Sequence, residues 1–257
     1  MSITHNIAGL VRATGPAKAI EILLRRVLNV PGVVTANVQA QKLAVRPSDS
    51  DLFVLSQTFG WEEYRMDPER LFNLRKLAAN WHATGYIPLI IDAGANVGYS
   101  ALYFASLFPE ARVLAIEPDR TSFEMLVRNT DRRPNIKAVC AALWSHDQGV
   151  ELQTLGKGSW SIRVTEGLGT PSERLDVLVA SIPRARPLII KLDIEGAERV
   201  VIESCPELFA QAKCIMVEPH DFMHSGAACL SPLYKIAASK EFDTVISGEN
   251  LLLFSVG

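Results

Sequence analysis

Five short apolar runs in this 257-residue chain end where an α/β sheet would bind its ligand, and four of those ends carry acids. In an open α/β sheet, ligands sit beyond the carboxyl ends of the strands, so these acids are the first candidates for chemistry. Asp92 closes Leu89-Ile90-Ile91 and leads into Ala93-Gly94-Ala95-Asn96-Val97-Gly98. A G-x-G-x-x-G dinucleotide loop leaves room for pyrophosphate at a helix N-terminus, whereas here a carboxylate precedes a D-x-G-x-N-x-G pattern. A negative charge at that point repels phosphate and attracts a ligand bearing an ammonium or sulfonium group. Glu117 follows 25 residues later, the span of one strand-helix-strand step, where an acid can accept hydrogen bonds from both ribose hydroxyls. The next end, Val139-Cys140-Ala141-Ala142, offers only backbone, on which an adenine can rest.

The remaining two ends read Lys191-Leu192-Asp193-Ile194-Glu195-Gly196-Ala197-Glu198 and Met216-Val217-Glu218-Pro219-His220. Strand alternation sends Lys191 and Asp193 to the same side, and Asp193, Glu195, Glu218 and His220 are expected to converge over a bound cofactor. More ordinary roles compete at three of these positions: Glu198 steadying a helix start, Lys191 pairing with a core carboxylate, His220 satisfied within its loop.

The elements that must position these groups follow from periodicity. Strands are predicted near Leu89–Ala93, Val113–Glu117, Ile136–Ala141, Leu188–Asp193, Cys214–Glu218, Thr244–Ser247 and Leu251–Val256. Helices are predicted at Tyr99–Leu107, Thr121–Asn129, Ala197–Ser204 and Ser231–Lys240. Gly248-Glu249-Asn250 between the last two strands suits an antiparallel hairpin. The pattern is α/β with a mostly parallel sheet. Upstream, residues 16–28 read as an amphipathic helix with Pro16 in its first turn, packing on the domain rather than lying on a membrane. Residues 41–66 form a polar-aromatic stretch with Arg46, Asp51, Trp61 and Tyr64, and Gly156–Ser172 a glycine-rich loop around Trp160. The division expected is 1–85, an N-terminal helical, substrate-side region, and 86–257, a cofactor-binding domain.

Composition removes several classes of function. A net charge of −2, with no block of five like charges, leaves no footprint for nucleic acid or an anionic membrane surface. With no basic, apolar leader and no stretch of 18 uncharged apolar residues, membrane insertion is not expected and a cytoplasmic location is. Cys140, Cys205, Cys214 and Cys229 form neither a CxxC nor a Cys/His cluster, so they read as reduced, packed thiols.

Taken in order, Ile91-Asp92-Ala93-Gly94-Ala95-Asn96-Val97-Gly98-Tyr99-Ser100, Glu117-Pro118 and Lys191-x-Asp193-x-Glu195-Gly196-x-Glu198 resemble the FkbM-type methyltransferases. Val45-Arg46-Pro47, Asp51 and Glu63-Tyr64 look like that family's region before the cofactor domain, and the resemblance covers roughly residues 43–256. It implies a Rossmann-like class I methyltransferase fold, with seven strands, the last antiparallel, and helices on both faces. It implies O-methylation of a hydroxyl on a sugar or secondary-metabolite-type small molecule, with S-adenosylmethionine as donor. Asp92, Ala93, Gly94, Ala95, Asn96, Gly98, Tyr99 and Ser100 would hold its methionine part, Glu117 and Pro118 the ribose and Ala141 and Ala142 the adenine, with Asp193 nearby.

Asp193 or His220 is expected to take the hydroxyl proton, with Glu195 and Glu218 orienting it. Arg46, Asp51, Tyr64, Trp160 and Lys191 are the expected acceptor contacts. Mg²⁺ on Asp193 and Glu218 is conceivable without being favoured, and the N-terminal helix is a candidate homodimer contact. Two other classes stand beside the methyltransferase: a silent protein that keeps the fold for binding or assembly, and an NAD(P)-dependent oxidoreductase, which Asp92 opposes.

Overall fold

The computed structural model describes residues 3–154, 162–221 and 226–256. The chain opens with α1 (Ile3–Thr14) and α2 (Pro16–Val27), followed by an antiparallel hairpin of β1 (Val34–Val38) and β2 (Gln41–Val45). Helix α3 (Asp51–Leu55) runs into one π-helical turn at Ser56–Gly60, and α4 (Pro68–Ala83) precedes the sheet. Then come β3 (Ile87–Ala93), α5 (Tyr99–Leu107), β4 (Arg112–Ile116), α6 (Arg120–Thr130) and β5 (Ile136–Val139). Short strands β6 (Ala142–Leu143), β7 (Val150–Thr154), β8 (Ile162–Glu166) and β9 (Ser172–Glu173) lead to α7 (Leu175–Ala180). The chain ends with β10 (Ala185–Leu192), α8 (Glu198–Ser204), α9 (Pro206–Gln211), β11 (Cys214–Val217), α10 (Ser231–Ser239), β12 (Phe242–Ser247) and β13 (Asn250–Ser255).

Seven strands form one sheet in the order β12-β13-β11-β10-β3-β4-β5. All neighbours from β11 to β5 are parallel, and β13 runs antiparallel to both β11 and β12. This is the mostly parallel sheet with an antiparallel last strand expected from the sequence. Because β3 lies between β10 and β4, successive crossovers leave it in opposite directions, and a crevice opens at its carboxyl end.

Alternation along each strand divides the core between two layers. Leu89, Ile91 and Ala93 of β3 pack with Leu114, Ile116, Ile190 and Leu192 against Leu175, Ile202, Phe209 and Leu233. On the other face, Ile90 joins Val113, Ala115 and Met216 in one cluster with Leu10, Ile22, Leu43, Val45, Leu55 and Phe59 from the N-terminal segment. That segment is joined to the sheet layer through α5, whose residues Tyr99 to Ala105 are all buried.

Two devices fix the N-terminal segment. Helix α1 crosses the π-helical turn glycine against glycine, since a Cβ on Gly60 would lie 2.2 Å from the Gly9 carbonyl oxygen. Trp61 seals the crossing, stacked on His5 at 4.2 Å and covered by the Arg12 guanidinium. The hairpin is held separately. Asn129 accepts the Ala44 N–H at 2.7 Å and donates to the Val97 carbonyl at 2.8 Å, while the Tyr99 hydroxyl donates to the Ala44 carbonyl at 2.8 Å. Strand β2 is thus tied to the loop after β3. Helix α2 packs through Ala19 and Ile22, and leaves Ile20, Leu24, Val27 and Leu28 exposed.

Three regions differ from the sequence expectation. The 41–66 stretch holds β2, α3 and the π-helical turn. Within Gly156–Ser172, the described part from 162 onward includes β8, which pairs with β7 as a hairpin rather than forming a loop. The two-residue alternation of Val150-Glu151-Leu152 was present in the sequence but short. Helix α4 was not predicted, although its start is signalled: Asp67 caps it by accepting the Arg70 N–H at 3.0 Å, with Pro68 in the first turn. Among the described residues, no helix is long and apolar enough to cross a membrane.

Replacing Asn129 by Ala strands the Ala44 N–H and the Val97 carbonyl inside the protein. Urea unfolding should show a loss of about 2 kcal/mol relative to the wild type; a loss within measurement error would show that β2 is not held by this amide.

Candidate active site

The loop after β3 is shaped by its glycines and by the end of β10. Gly94 has φ 76°, and a Cβ there would sit 1.7 Å from the Asp193 carbonyl oxygen, so the two strand ends touch through backbone. Lys191, only 1 % exposed, fastens the same junction. Its ammonium donates to the Gly94 carbonyl at 2.8 Å and lies 3.2 Å from Asp92 and 3.3 Å from Asp193. Desolvation works against that charge, but Tyr64, Asp92 and Asp193 outweigh it and raise Lys191 well above its ordinary value. The other oxygen of Asp92 accepts the Ser100 hydroxyl at 2.6 Å.

The loop amides are engaged internally. Gly94 and Ala95 both donate to the Ile116 carbonyl at 3.0 Å, and Gly98 donates to Ala95 at 2.8 Å. Asn96 donates to Glu117 Oε2 at 2.8 Å, and the Asp119 amide donates to Oε1 at the same distance. Burial raises Glu117 to about 7 against the pull of these two amides. The Asn96 side-chain oxygen is buried with no partner among the described residues. Glu117 and the unmet Asn96 oxygen are both acceptors, and the loop amides of Gly94, Ala95, Asn96 and Gly98 are already engaged and unavailable to a phosphate. Such a donor and acceptor set fits a nucleoside carrying positive charge and does not fit pyrophosphate.

Beyond the loop the expected convergence occurs. His220, 1 % exposed, pairs through Nδ1 with Glu198 Oε1 at 2.6 Å, and its Nε2 lies 3.9 Å from Asp193, 3.6 Å from Glu195 and 3.8 Å from Glu218. Burial alone would lower His220, but the Glu198 hydrogen bond and the charges of Glu198, Asp193 and Glu195 raise it to about 9. Burial, then repulsion from Asp193, raises Glu195 to about 7 and Glu218 to about 8. Asp193, Glu195 and His220 bring one donor atom each to within 4.8 Å of one another. Glu198 also accepts the Gly196 amide at 3.2 Å, so both helix-start and histidine-anchor roles fall to it.

The other expected residues fall into distinct places. Tyr99 is fully buried, with its hydroxyl turned to Ala44, so its side chain faces away from the crevice. Ala141 and Ala142 are buried and Pro118 is half-buried. Asp51 is buried and doubly bonded by the Arg46 guanidinium, with Nη2 to Oδ1 at 2.7 Å, and so presents no surface to an acceptor. Arg46 also reaches the Thr121 hydroxyl at the start of α6, 3.4 Å away. Tyr64 is buried with its ring 5.9 Å from the Lys191 ammonium, and Lys191 itself serves the junction rather than the surface. Trp160 lies outside the described residues.

Glu63, part of the Glu63-Tyr64 pair that carries the resemblance but given no site role from the sequence, is buried beside Asn250. Burial, with Glu249 and Asp193 nearby, raises it to about 7. Its signal was adjacency to Tyr64. Asn129 carried no local signal, because its partners at positions 44 and 97 are distant in sequence.

The profile of the methyltransferase FkbM domain matches residues 92–246. Hexuronic acid methyltransferase AglP of Haloferax volcanii is 25 % identical over 133 residues, covering 50 % of this chain and 54 % of that protein. Methyltransferase sdnD of Sordaria araneosa is 39 % identical over 61 residues, covering 23 % and 24 %. The chain therefore spans about half the length of the first and a quarter of the second. The solved O-methyltransferase TomG of Streptomyces achromogenes, in complex with SAM, is 12 % identical, covering 75 % of this chain and 82 % of that one, with a TM-score of 0.43.

The buried carboxyls make stability depend on pH. Glu63 and Glu117 have folded values of about 7 against an ordinary 4.5, so the native state holds their protons more tightly than the unfolded chain does. Their contribution is complete below 4.5 and is lost as pH rises through 7. The melting temperature of the ligand-free protein should fall from about pH 5 to about pH 8, and Glu117→Gln should remove part of the fall. An identical slope in that variant would show that Glu117 ionises freely.

Proposed function

The chain belongs to the FkbM methyltransferase family, and from that premise we propose that it transfers a methyl group from S-adenosylmethionine to a hydroxyl of a sugar or secondary-metabolite-type small molecule. The observation that carries this reading is the loop whose amides at Gly94, Ala95, Asn96 and Gly98 are engaged internally, while Glu117 and the unpartnered Asn96 oxygen offer acceptors rather than donors. A nicotinamide dinucleotide needs amides for its pyrophosphate and finds these taken. The hexuronic acid methyltransferase among the relatives supports a sugar as acceptor.

When bound, S-adenosylmethionine supplies an electrophilic methyl group on a sulfonium. Glu117 would hold its ribose hydroxyls, the Asn96 oxygen its ammonium, and the buried backbone at Ala141 and Ala142 its adenine. Residues 86–257 carry this cofactor site, and residues 1–85 form the acceptor side.

An aliphatic hydroxyl needs a base as it attacks. His220 is enclosed, with Nδ1 committed to Glu198, and it orients the carboxylates rather than meeting the acceptor. Asp193 is already engaged by the Lys191 ammonium at 3.3 Å. Glu218, partly exposed and without a lysine or arginine pair among the described residues, takes the hydroxyl proton, while Asp193 and Glu195 align the oxygen. Holding the hydroxyl in line supplies much of the rate.

Mass spectrometry with S-adenosylmethionine and a panel of glycosides should detect a product one methylene heavier. Glu218→Gln should lower kcat roughly 10²- to 10⁴-fold while leaving S-adenosylhomocysteine affinity unchanged. Glu117→Ala should weaken that affinity at least about tenfold by calorimetry, through loss of a charged hydrogen-bond acceptor. Tighter binding of NADH than of S-adenosylhomocysteine would end the methyltransferase reading, and full turnover in Glu218→Gln would end the role given to that residue.

A further inference from the structure

We propose that Asp193, Glu195 and His220 form a binding site for one first-row divalent cation of the manganese-to-zinc group. The set is more than an acidic cluster because an imidazole is built into it and aimed. Glu198, fully buried at the start of α8, takes Nδ1 of His220 at 2.6 Å and leaves Nε2 facing the carboxylates. A buried carboxylate behind a histidine is the support that metal-ligating imidazoles use to fix ring orientation.

The spacing suits a shared ion. Nε2 lies 3.6 Å from Glu195 and 3.9 Å from Asp193, too far for hydrogen bonds. Ligand bonds of about 2.0–2.2 Å put neighbouring donors about 3–4 Å apart. Both carboxylates project from the turn after β10 and His220 from the segment after β11, so two strand ends bring the three donors together. The site is closed on the histidine side. Asp193 and Glu195 are each about one quarter exposed, at 26 % and 25 %, leaving an open side for water or a substrate oxygen.

Ligand chemistry narrows the ion. One imidazole with two carboxylates and no thiolate selects manganese, iron, cobalt or zinc over copper(I), and over magnesium, which prefers oxygen alone and keeps its waters. If the hydroxyl-methylation reading is right, an acceptor oxygen on the open side would be acidified by the ion and placed beside Glu218.

The test uses the full chain, stripped with a chelator and titrated with Co²⁺ in the visible range and with Zn²⁺ and Mg²⁺ by calorimetry. One equivalent of Co²⁺ with d–d absorption is expected, with Mg²⁺ binding at least about tenfold more weakly than Zn²⁺. His220→Ala should abolish the bands, Glu198→Gln should weaken Zn²⁺ affinity roughly 10- to 100-fold, and His146→Ala, away from the site, should change nothing. Should His220→Ala fail to fold by circular dichroism, Glu195→Gln carries the same test. Absence of stoichiometric binding, or bands that survive in the folded site variants, would overturn the site. S-adenosylhomocysteine titrated into the metal-free protein separates the two readings: its binding is independent of the ion, so its failure counts against methyl transfer and not against the cation site.

Discussion

The buried ammonium of Lys191 is the contact on which the site depends. It is the cation at the place where β3 and β10 end side by side, and it meets Asp92, Asp193 and the Gly94 carbonyl at once. Two carboxylates on adjacent strands would repel each other without it. Removing one member of such a buried pair typically costs about 3–5 kcal/mol, because the remaining charge is left uncompensated. The same ammonium fixes the Gly94 carbonyl in the loop after β3, so the geometry of the loop and the charges of the strand ends are one problem with one solution.

From that junction the order spreads in two directions. Towards the N-terminus, Asn129 and Tyr99 bind β2 to the loop, and α1 locks over the π-helical turn by a glycine-on-glycine crossing that admits no side chain. The N-terminal residues thereby join one of the two core layers of the sheet. Towards the C-terminus, Glu198 leaves α8 to hold His220, which draws the ends of β10 and β11 into a single crevice.

The crevice holds carboxyls in a setting that does not favour their charge. Glu63, Glu117, Glu195 and Glu218 all lie above their ordinary values, mainly through burial. Positive charge entering the crevice relieves this cost, and a sulfonium cofactor and a divalent ion both bring it. The acids concentrated at the carboxyl ends of the strands are therefore the groups to which the proposed ligands are assigned.

The sequence alone determined the sheet and its acids. Short apolar runs bounded by turn residues read as strands covered on both faces, and the residue ending each run falls at the carboxyl end of the sheet, so Asp92, Glu117, Asp193 and Glu218 were legible from position. The D-x-G-x-N-x-G pattern was likewise legible, since charge and glycine placement are local. Tertiary structure decided what each candidate residue meets. Lys191 and Asp51 turned inward because their partners, Asp92 and Arg46, meet them only after folding. His220 became an anchored imidazole because Glu198 lies behind it, and Glu63, quoted from the sequence only for its resemblance, came to lie buried beside Asn250. Short amphipathic pieces such as β7, β8 and α4 escaped sequence reading because their stability comes from neighbours rather than from a long repeating pattern. What is periodic or local can be read along the chain, whereas the balance of buried charge depends on distances that exist only in the folded protein.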